Sequence, residues 1–405
     1  MTVNLKQIPP PEPQPAPPNY FRWLLLLLLA LAVSTLYALD NHTISADVDV
    51  KTFMETCGTI PLLGWLLLLL FRLCYFSGQQ GLAEKSRQCY EQLVRQETRR
   101  GQRAMQVLGI SLHSALRNPE DGDGQKQWQA LQDKVQAIKT QPGWHSEEGI
   151  RHSRLIRLQD ETPEQLLSRM LKQTLKELSR LLVAVPEDMP LAVLMEQSCN
   201  LPENQLQTLW QSAWAASRIR QPVKEATGQG FAAVDNWLDQ HVNDRALLLV
   251  VAFQIDAAQP EGSAEAVAGL LLATPYAAAG LPPLATLHRP EQAHQIGDAD
   301  LRYAFAQSFE WVPVDAGRVS SGWLTGVAPC WHQTIAAELA ALSSPINPGQ
   351  HLHNLDATLG YPGAAAPWLA VACATKGAQR GEPQLIVSGD ATDDTPLWST
   401  LVTPL

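Results

Sequence analysis

The chain has 405 residues, 45% of them hydrophobic and 17% charged, and a formal net charge of −10. That length suits one large domain or two smaller ones, and the acidic balance excludes a general nucleic-acid binder, which needs clustered lysine and arginine. Six cysteines, Cys57, Cys74, Cys89, Cys199, Cys330 and Cys373, show no C-x-x-C spacing. They spell neither a disulfide framework nor a metal site, and scattered thiols suit a reducing compartment.

Residues 1–20 are proline-rich, with Pro9, Pro10, Pro11, Pro13, Pro15, Pro17 and Pro18, and are expected as an extended, solvated tail. Phe21 to Leu39 includes six consecutive leucines and no charge after Arg22. It is long enough to span a bilayer core. A second apolar run, Ile60 to Phe76, is interrupted only by Arg72, which sits near enough to the end to snorkel. Trp23, Tyr37, Trp65 and Tyr75 lie near the ends, as interfacial anchors do. Together residues 21–77 read as a transmembrane hairpin in contact with lipid. A cleaved signal peptide fits less well, because the segment before the run is long and nearly uncharged and a second span follows.

The loop 40–59 carries Asp40, Asp47, Asp49 and Glu55 against Lys51, whereas Lys85, Arg87, Arg95, Arg99, Arg100 and Arg103 follow the second span. The basic side faces the cytoplasm. Both the tail, with Lys6 and Arg22, and the region after the hairpin are therefore expected inside a bacterial inner membrane. The Asn41-His42-Thr43 sequon is then a chance match. Residues 78–104 read as a polar helical linker. Its basic run, Arg95 to Arg103, is either solvated or in contact with anionic headgroups.

The region 105–405 reads as one α/β domain. Met105 to Leu112 is expected as a strand, Gln125 to Ile138 as a helix and Leu155 to Leu158 as a short strand. Thr162-Pro163-Glu164 is an N-cap with proline at the first helical position. It opens a helix with Leu166, Leu167, Met170, Leu171, Leu175 and Leu178 at helical spacing. Leu191–Met195 follows as a strand, Pro202–Arg218 and Gly230–His241 as helices, and Ala246–Phe253 as an apolar strand of the kind found in parallel sheets. Ala264–Ala273 is a strand or short helix. Further helices are expected at His332–Leu342 and Pro367–Gly377, and strands at Gln384–Ser388 and Trp398–Val402. The alternation indicates mostly parallel sheets covered by helices.

Leu359 to Ala370, with Gly360-Tyr361-Pro362-Gly363 ahead of an alanine run, resembles the turn of β-ketoacyl synthases and other thiolase-like proteins. There a glycine–histidine pair precedes small residues that open a buried helix. Pro383–Ser388, Asp244–Ala252 and Pro260-Glu261-Gly262-Ser263-Ala264 are similar to later and flanking pieces of that family. The likeness covers residues 185–405 in patches and implies a thiolase-like fold. The family's chemistry needs a thiolate at a helix start and two histidines. The matching stretch here, Ala226-Thr227-Gly228-Gln229-Gly230-Phe231, has no cysteine. Tyr361 stands in place of one histidine, and Ser321 to Gly326, around Thr325, holds no second one. A phenol cannot exchange protons near neutral pH as imidazole does. The resemblance therefore implies a vestigial pocket at Gly228, Gly230, Gly360, Tyr361 and Thr325, with no catalytic residue, cofactor or metal.

Other constellations are weaker. His351-x-His353 with Asp356 has metal-ligand residue types but sits in a polar loop. Cys330-Trp331-His332 are adjacent, which does not aim thiol at imidazole. Gly228-x-Gly230 is too short for a dinucleotide fingerprint, and no Walker A or G-x-S-x-G sequence occurs. The stretches Gln106 to Ala115 and Gln141-Pro142-Gly143-Trp144-His145 resemble inner-membrane accessory proteins of bacterial type VI secretion systems. That resemblance implies a membrane-anchored scaffold or adaptor for secretion-system proteins, and thiolase-like folds commonly pair as homodimers. The rivals are an enzyme acting on acyl or lipid substrates through Tyr361, His332 and Asp356, and a sensor binding a small ligand. A scaffold is expected to fill the pocket with Trp, Leu and Phe. An enzyme is expected to keep it open, with titratable groups within hydrogen-bond reach of one another.

Overall fold

The structure, a computed structural model, describes residues 3, 5, 8–40, 54–277 and 280–405. The chain divides into two compact units, essentially residues 4–97 and 98–405. Most of the acidic loop, with the sequon at residues 41–43, lies outside the described residues.

The first unit holds helix α1 (Tyr20–Asp40) and most of α2 (Ile60–Gly101). Both are long and apolar enough to cross a membrane. Their leucines are largely exposed, as in Leu28 and Leu67. The Trp65 indole donates to the Trp23 carbonyl at 2.8 Å, tying the two helices together. α2 runs unbroken for 42 residues, so the apolar span and the polar linker form one helix rather than two segments. Arg87 and Arg95 each reach Glu91 one turn away, at 3.9 and 3.6 Å, spacing that supports a solvated helix.

The second unit is organised by one eleven-stranded mixed sheet. Its first half contains β1 (Ala104–His113), β4 (Leu191–Cys199), β5 (Val223–Glu225), β6 (Leu247–Ile255) and β7 (Ala266–Ala273). The second half contains β8 (Ala285–His288), β10 (Ser321–Thr325), β11 (Leu352–Asn354), β12 (Gln384–Ser388) and β13 (Trp398–Thr403), with β9 (Glu291–Gln292) on β13. A separate hairpin pairs β2 (Lys139–Pro142) with β3 (Gly149–His152).

From the middle outward the order is β1-β7-β6-β4-β5 on one side and β8-β13-β12-β10-β11 on the other. Each half therefore places its first strand beside its fifth, then its fourth, second and third. In both halves the second strand is parallel to the third and fourth, and the fifth is antiparallel to its neighbours. Antiparallel β1 and β8 join the halves through four residue pairs, Ala104↔His288 to Val107↔Ala285. The sheet is thus mixed, not mostly parallel. The apolar runs of β6 and β7 reflect burial on both faces, which antiparallel strands between helical layers share. The short link between these two strands has no room for a parallel crossover.

Helices fill the connections. α4 (Pro163–Leu182) and α5 (Glu203–Ser217) belong to the first half, α7 (Asp298–Trp311) and α8 (Trp331–Ala341) to the second. α6 (Gly230–Gln240) and α10 (Ala366–Ala378), the latter preceded by α9 (Leu355–Leu359), occupy equivalent places just before the fourth strand of each half. α3 (Gln125–Gln132) follows β1.

Three apolar cores result. Leu247, Leu249, Val251 and Phe253 of β6 pack with α4 and α5, while Leu248, Val250 and Ala252 point the other way. That opposite face joins Ile386, Trp323, α6 and α10 in a core shared by both halves. Leu385, Val387, Leu339 and Phe305 form a third core under α7 and α8. α10 is buried around almost its whole circumference, which is why its sequence is so rich in alanine.

Some sequence expectations shift. The helix after Gly124 stops at Gln132, because Lys134 adopts φ +55°. Leu155–Leu158 is irregular, and the nearby strands are β2 and β3 instead. Arg100 and Arg103 of the basic run bind Asp239 while staying partly exposed.

Candidate functional site

Two helices begin side by side in the shared core. Gly228 and Gly230 have φ of +124° and +49° and flank an extended Gln229, a path that L side chains rarely follow. α6 then starts. In the other half, Tyr361-Pro362-Gly363 leads into α10. The Tyr361 backbone is fixed on both sides: its N–H donates to the Gly262 carbonyl at 2.8 Å, and its carbonyl accepts from Ala264 N–H at 3.0 Å and Gln254 Nε2 at 2.7 Å.

Between these starts opens a cleft of about 850 Å³, walled by Gly228, Gly230, Glu196, Gln254, Tyr361 and Asp390 among others. A second depression of about 590 Å³ shares Tyr361 and Gln254 with it. Glu196, in the second half of β4, is 8% exposed. Its Oε1 accepts from the Gly230 N–H at 2.8 Å and the Trp368 indole at 3.1 Å. Burial outweighs these bonds and pushes its carboxyl up to about 7. Asp356 is half-buried, and desolvation pushes it up to about 6, partly offset by donation from the Gly326 N–H and the Thr325 hydroxyl. Burial, with the charges of Asp356 and Asp390, pushes the Tyr361 phenol up to about 12.

Of the residues that sequence singles out, Gly228, Gly230 and Tyr361 line one cleft. Gly360 and Thr325 do not. Gly360 packs so tightly on the Ser263 carbonyl that a Cβ would lie 2.4 Å from it, and Thr325 holds Asp356 at 3.1 Å. His332 is also outside the lining, and the Cys330 thiol donates to Asp393 at 3.2 Å. His353 stacks on Trp323 with ring centroids 4.6 Å apart. Among the described residues, no three His, Cys, Asp or Glu side chains are placed to hold a metal ion.

Among the described residues, no cysteine or histidine lines the 850 Å³ cleft. Cys373 is buried inside α10, and Cys199 borders only the second depression. Sequence reasoning missed Glu196 and Gln254. The one sequence signal is a polar residue placed within a largely apolar strand, and its burial is what gives it meaning.

No protein-family model matches the chain, and no curated protein matches it. Solved structures do. The ishigamide ketosynthase/chain length factor is 14% identical over 75% of this chain and 99% of its own, with a TM-score of 0.53. A type II polyketide ketosynthase, bound to the hexaketide and in complex with its acyl-carrier protein, is 10% identical over 75% of this chain and 100% of its own, also with a TM-score of 0.53. A keto synthase–chain length factor is 11% identical over 75% of this chain and 43% of its own, with a TM-score of 0.50. Such low identity speaks to architecture alone: the chain has a mixed α/β, thiolase-like fold.

Proposed function

We propose that this chain is a non-catalytic, membrane-anchored scaffold or adaptor whose ketosynthase-like unit binds a partner in its cleft. The observation that carries this reading is an open cleft at the paired helix starts, lined by neither cysteine nor histidine. Acyl transfer of the ketosynthase kind needs both. A scaffold is expected to fill the pocket with Trp, Leu and Phe; that expectation fails, and the open cleft is available for binding. Nor do its titratable groups work together. Glu196, Glu203, Tyr361 and Asp390 line it, yet no hydrogen bond joins any two of them among the described residues.

A protein partner fits the fold, since one similar ketosynthase is seen with an acyl-carrier protein. A homodimer fits the exposed edge strand β5, whose three residues present unpaired backbone groups. In this reading the hairpin sits in a bacterial inner membrane with both termini in the cytoplasm. Assignment to a type VI secretion assembly rests on two sequence stretches, of which Gln106 to His113 forms β1 at the middle of the sheet. Affinity capture from detergent-solubilised membranes, followed by mass spectrometry, tests it. Recovery of secretion components supports the adaptor. Turnover of acyl thioesters by the isolated protein overturns it in favour of an enzyme, for which Glu196, poised near neutrality, is the acid–base group to suspect.

A further inference from the structure

The floor of the cleft is built from acceptors. Glu196 uses only Oε1 for its two bonds, to Gly230 and Trp368. Its Oε2 has no protein donor. Gln254 is 5% exposed, and its Nε2 is committed to the Ala264 and Tyr361 carbonyls at 2.9 and 2.7 Å. Those two bonds fix the amide orientation and leave Oε1 without a donor. Gly363 packs against that oxygen, and only glycine fits there, for a Cβ would lie 2.1 Å from it. Around these acceptors stand Glu203 and Asp390, with Glu261 in the adjoining depression, and among the described residues no lysine, arginine or histidine lines either hollow.

From this geometry we infer that the cleft receives a cationic hydrogen-bond donor, a primary ammonium or guanidinium group, which satisfies Glu196 Oε2 and Gln254 Oε1 together. Neither oxygen has a protein donor among the described residues, so each relies on water or an incoming donor, and a cleft lined by carboxylates and no cation disfavours malonyl or phosphate anions. The inference rests on the binding reading above and names its ligand chemistry. Glu196 faces the Gly230 amide of α6 and the Trp368 indole of α10, and the other charged groups in the cleft are Glu203 and Asp390. A bound cation therefore meets a uniformly negative wall.

Calorimetric titration of the full chain in detergent at pH 8 tests this. The probes are N-acetyl-lysine-N-methylamide, its uncharged norleucine counterpart, and spermidine. The lysine probe is expected to bind on the order of tenfold or more tighter than norleucine, and Glu196→Gln is expected to erase that difference. Should Glu196→Gln fail to fold, the unaltered protein titrated from pH 8 to pH 5.5 is expected to lose lysine affinity as Glu196 takes its proton. Preference for spermidine over the lysine probe identifies a free polyamine as the source, and the reverse identifies a protein side chain. Equal binding of lysine and norleucine, no binding of any cation, or affinity indifferent to both Glu196→Gln and pH overturns the inference. If a partner is still captured from membranes under those outcomes, the adaptor reading stands without it.

Discussion

Arg289, wholly buried beside β8, donates to the Asp239 carboxylate at 2.8 Å near the end of α6. Arg100 and Arg103, from the C-terminal end of α2 and just after it, reach the same carboxylate. Arg289 also pairs with Asp235 one turn earlier on α6. The helix that starts at the cleft is thus pinned at its other end by a buried ionic cluster. Removing one partner leaves uncompensated charge inside the protein. Arg289→Met is expected to destabilise the second unit by about 3–5 kcal/mol, read as a fall in the denaturant midpoint. A change within experimental error would show that the cluster is not coupled to folding.

Glu291 is almost wholly buried and accepts from the Trp311 indole at 2.8 Å. Burial pushes its carboxyl up to about 7. A raised folded pKa contributes stability that is fully present below the unfolded value near 4.5 and is lost as pH rises through about 7. Glu291→Gln keeps an acceptor for Trp311 and removes the proton. The decline in melting temperature between pH 5 and pH 8 is expected to flatten, by an amount on the order of 2–3 kcal/mol at pH 8. An unchanged slope would assign the alkaline decline elsewhere.

The opposite limb belongs to buried histidines. His288 and His353 are both pulled down to about 4, chiefly by burial. Their contribution is fully present above about 6.5 and is lost as pH falls through about 4. His288 contacts the Thr403 hydroxyl at 2.9 Å. His288→Gln, which cannot take up a proton, is expected to shallow the acid limb of the melting curve between pH 6.5 and pH 4, even at some cost in stability at pH 7.

α4 begins with a reciprocal cap. Thr162 Oγ1 accepts from the Gln165 N–H at 3.4 Å, and the Gln165 side chain accepts from the Thr162 N–H at 3.2 Å. Thr162→Ala is expected to cost about 1 kcal/mol, measured by chemical denaturation. Thr162→Ser, which can still make both bonds, is expected to cost little.

α4 was legible to the residue because its cap, its proline and its leucine stripe all act locally. α10 and β6 were legible because burial on every side leaves an apolar run. The duplication of the two halves was not, since it lies in strand order and no residue pattern repeats. β8, β10 and β11 are too short to carry periodicity. In the site, the family likeness pointed to Gly228 and Gly230, and the structure gives both positive φ. Thr325 and Gly360 were drawn in by the family likeness, although one serves Asp356 and the other makes room for the Ser263 carbonyl. Glu196 and Gln254 escaped attention because a polar residue in a strand looks ordinary until its burial is known.

α6 and α10 lie in a core to which both halves of the sheet contribute. A polypeptide severed between β7 and β8 would leave each fragment with a naked inner face and a central helix lacking half its neighbours. Neither piece is then an autonomous folding unit, despite carrying a complete copy of the strand plan. The two halves form a single cooperative body, in which damage to one half is felt by the other through the helices they hold in common.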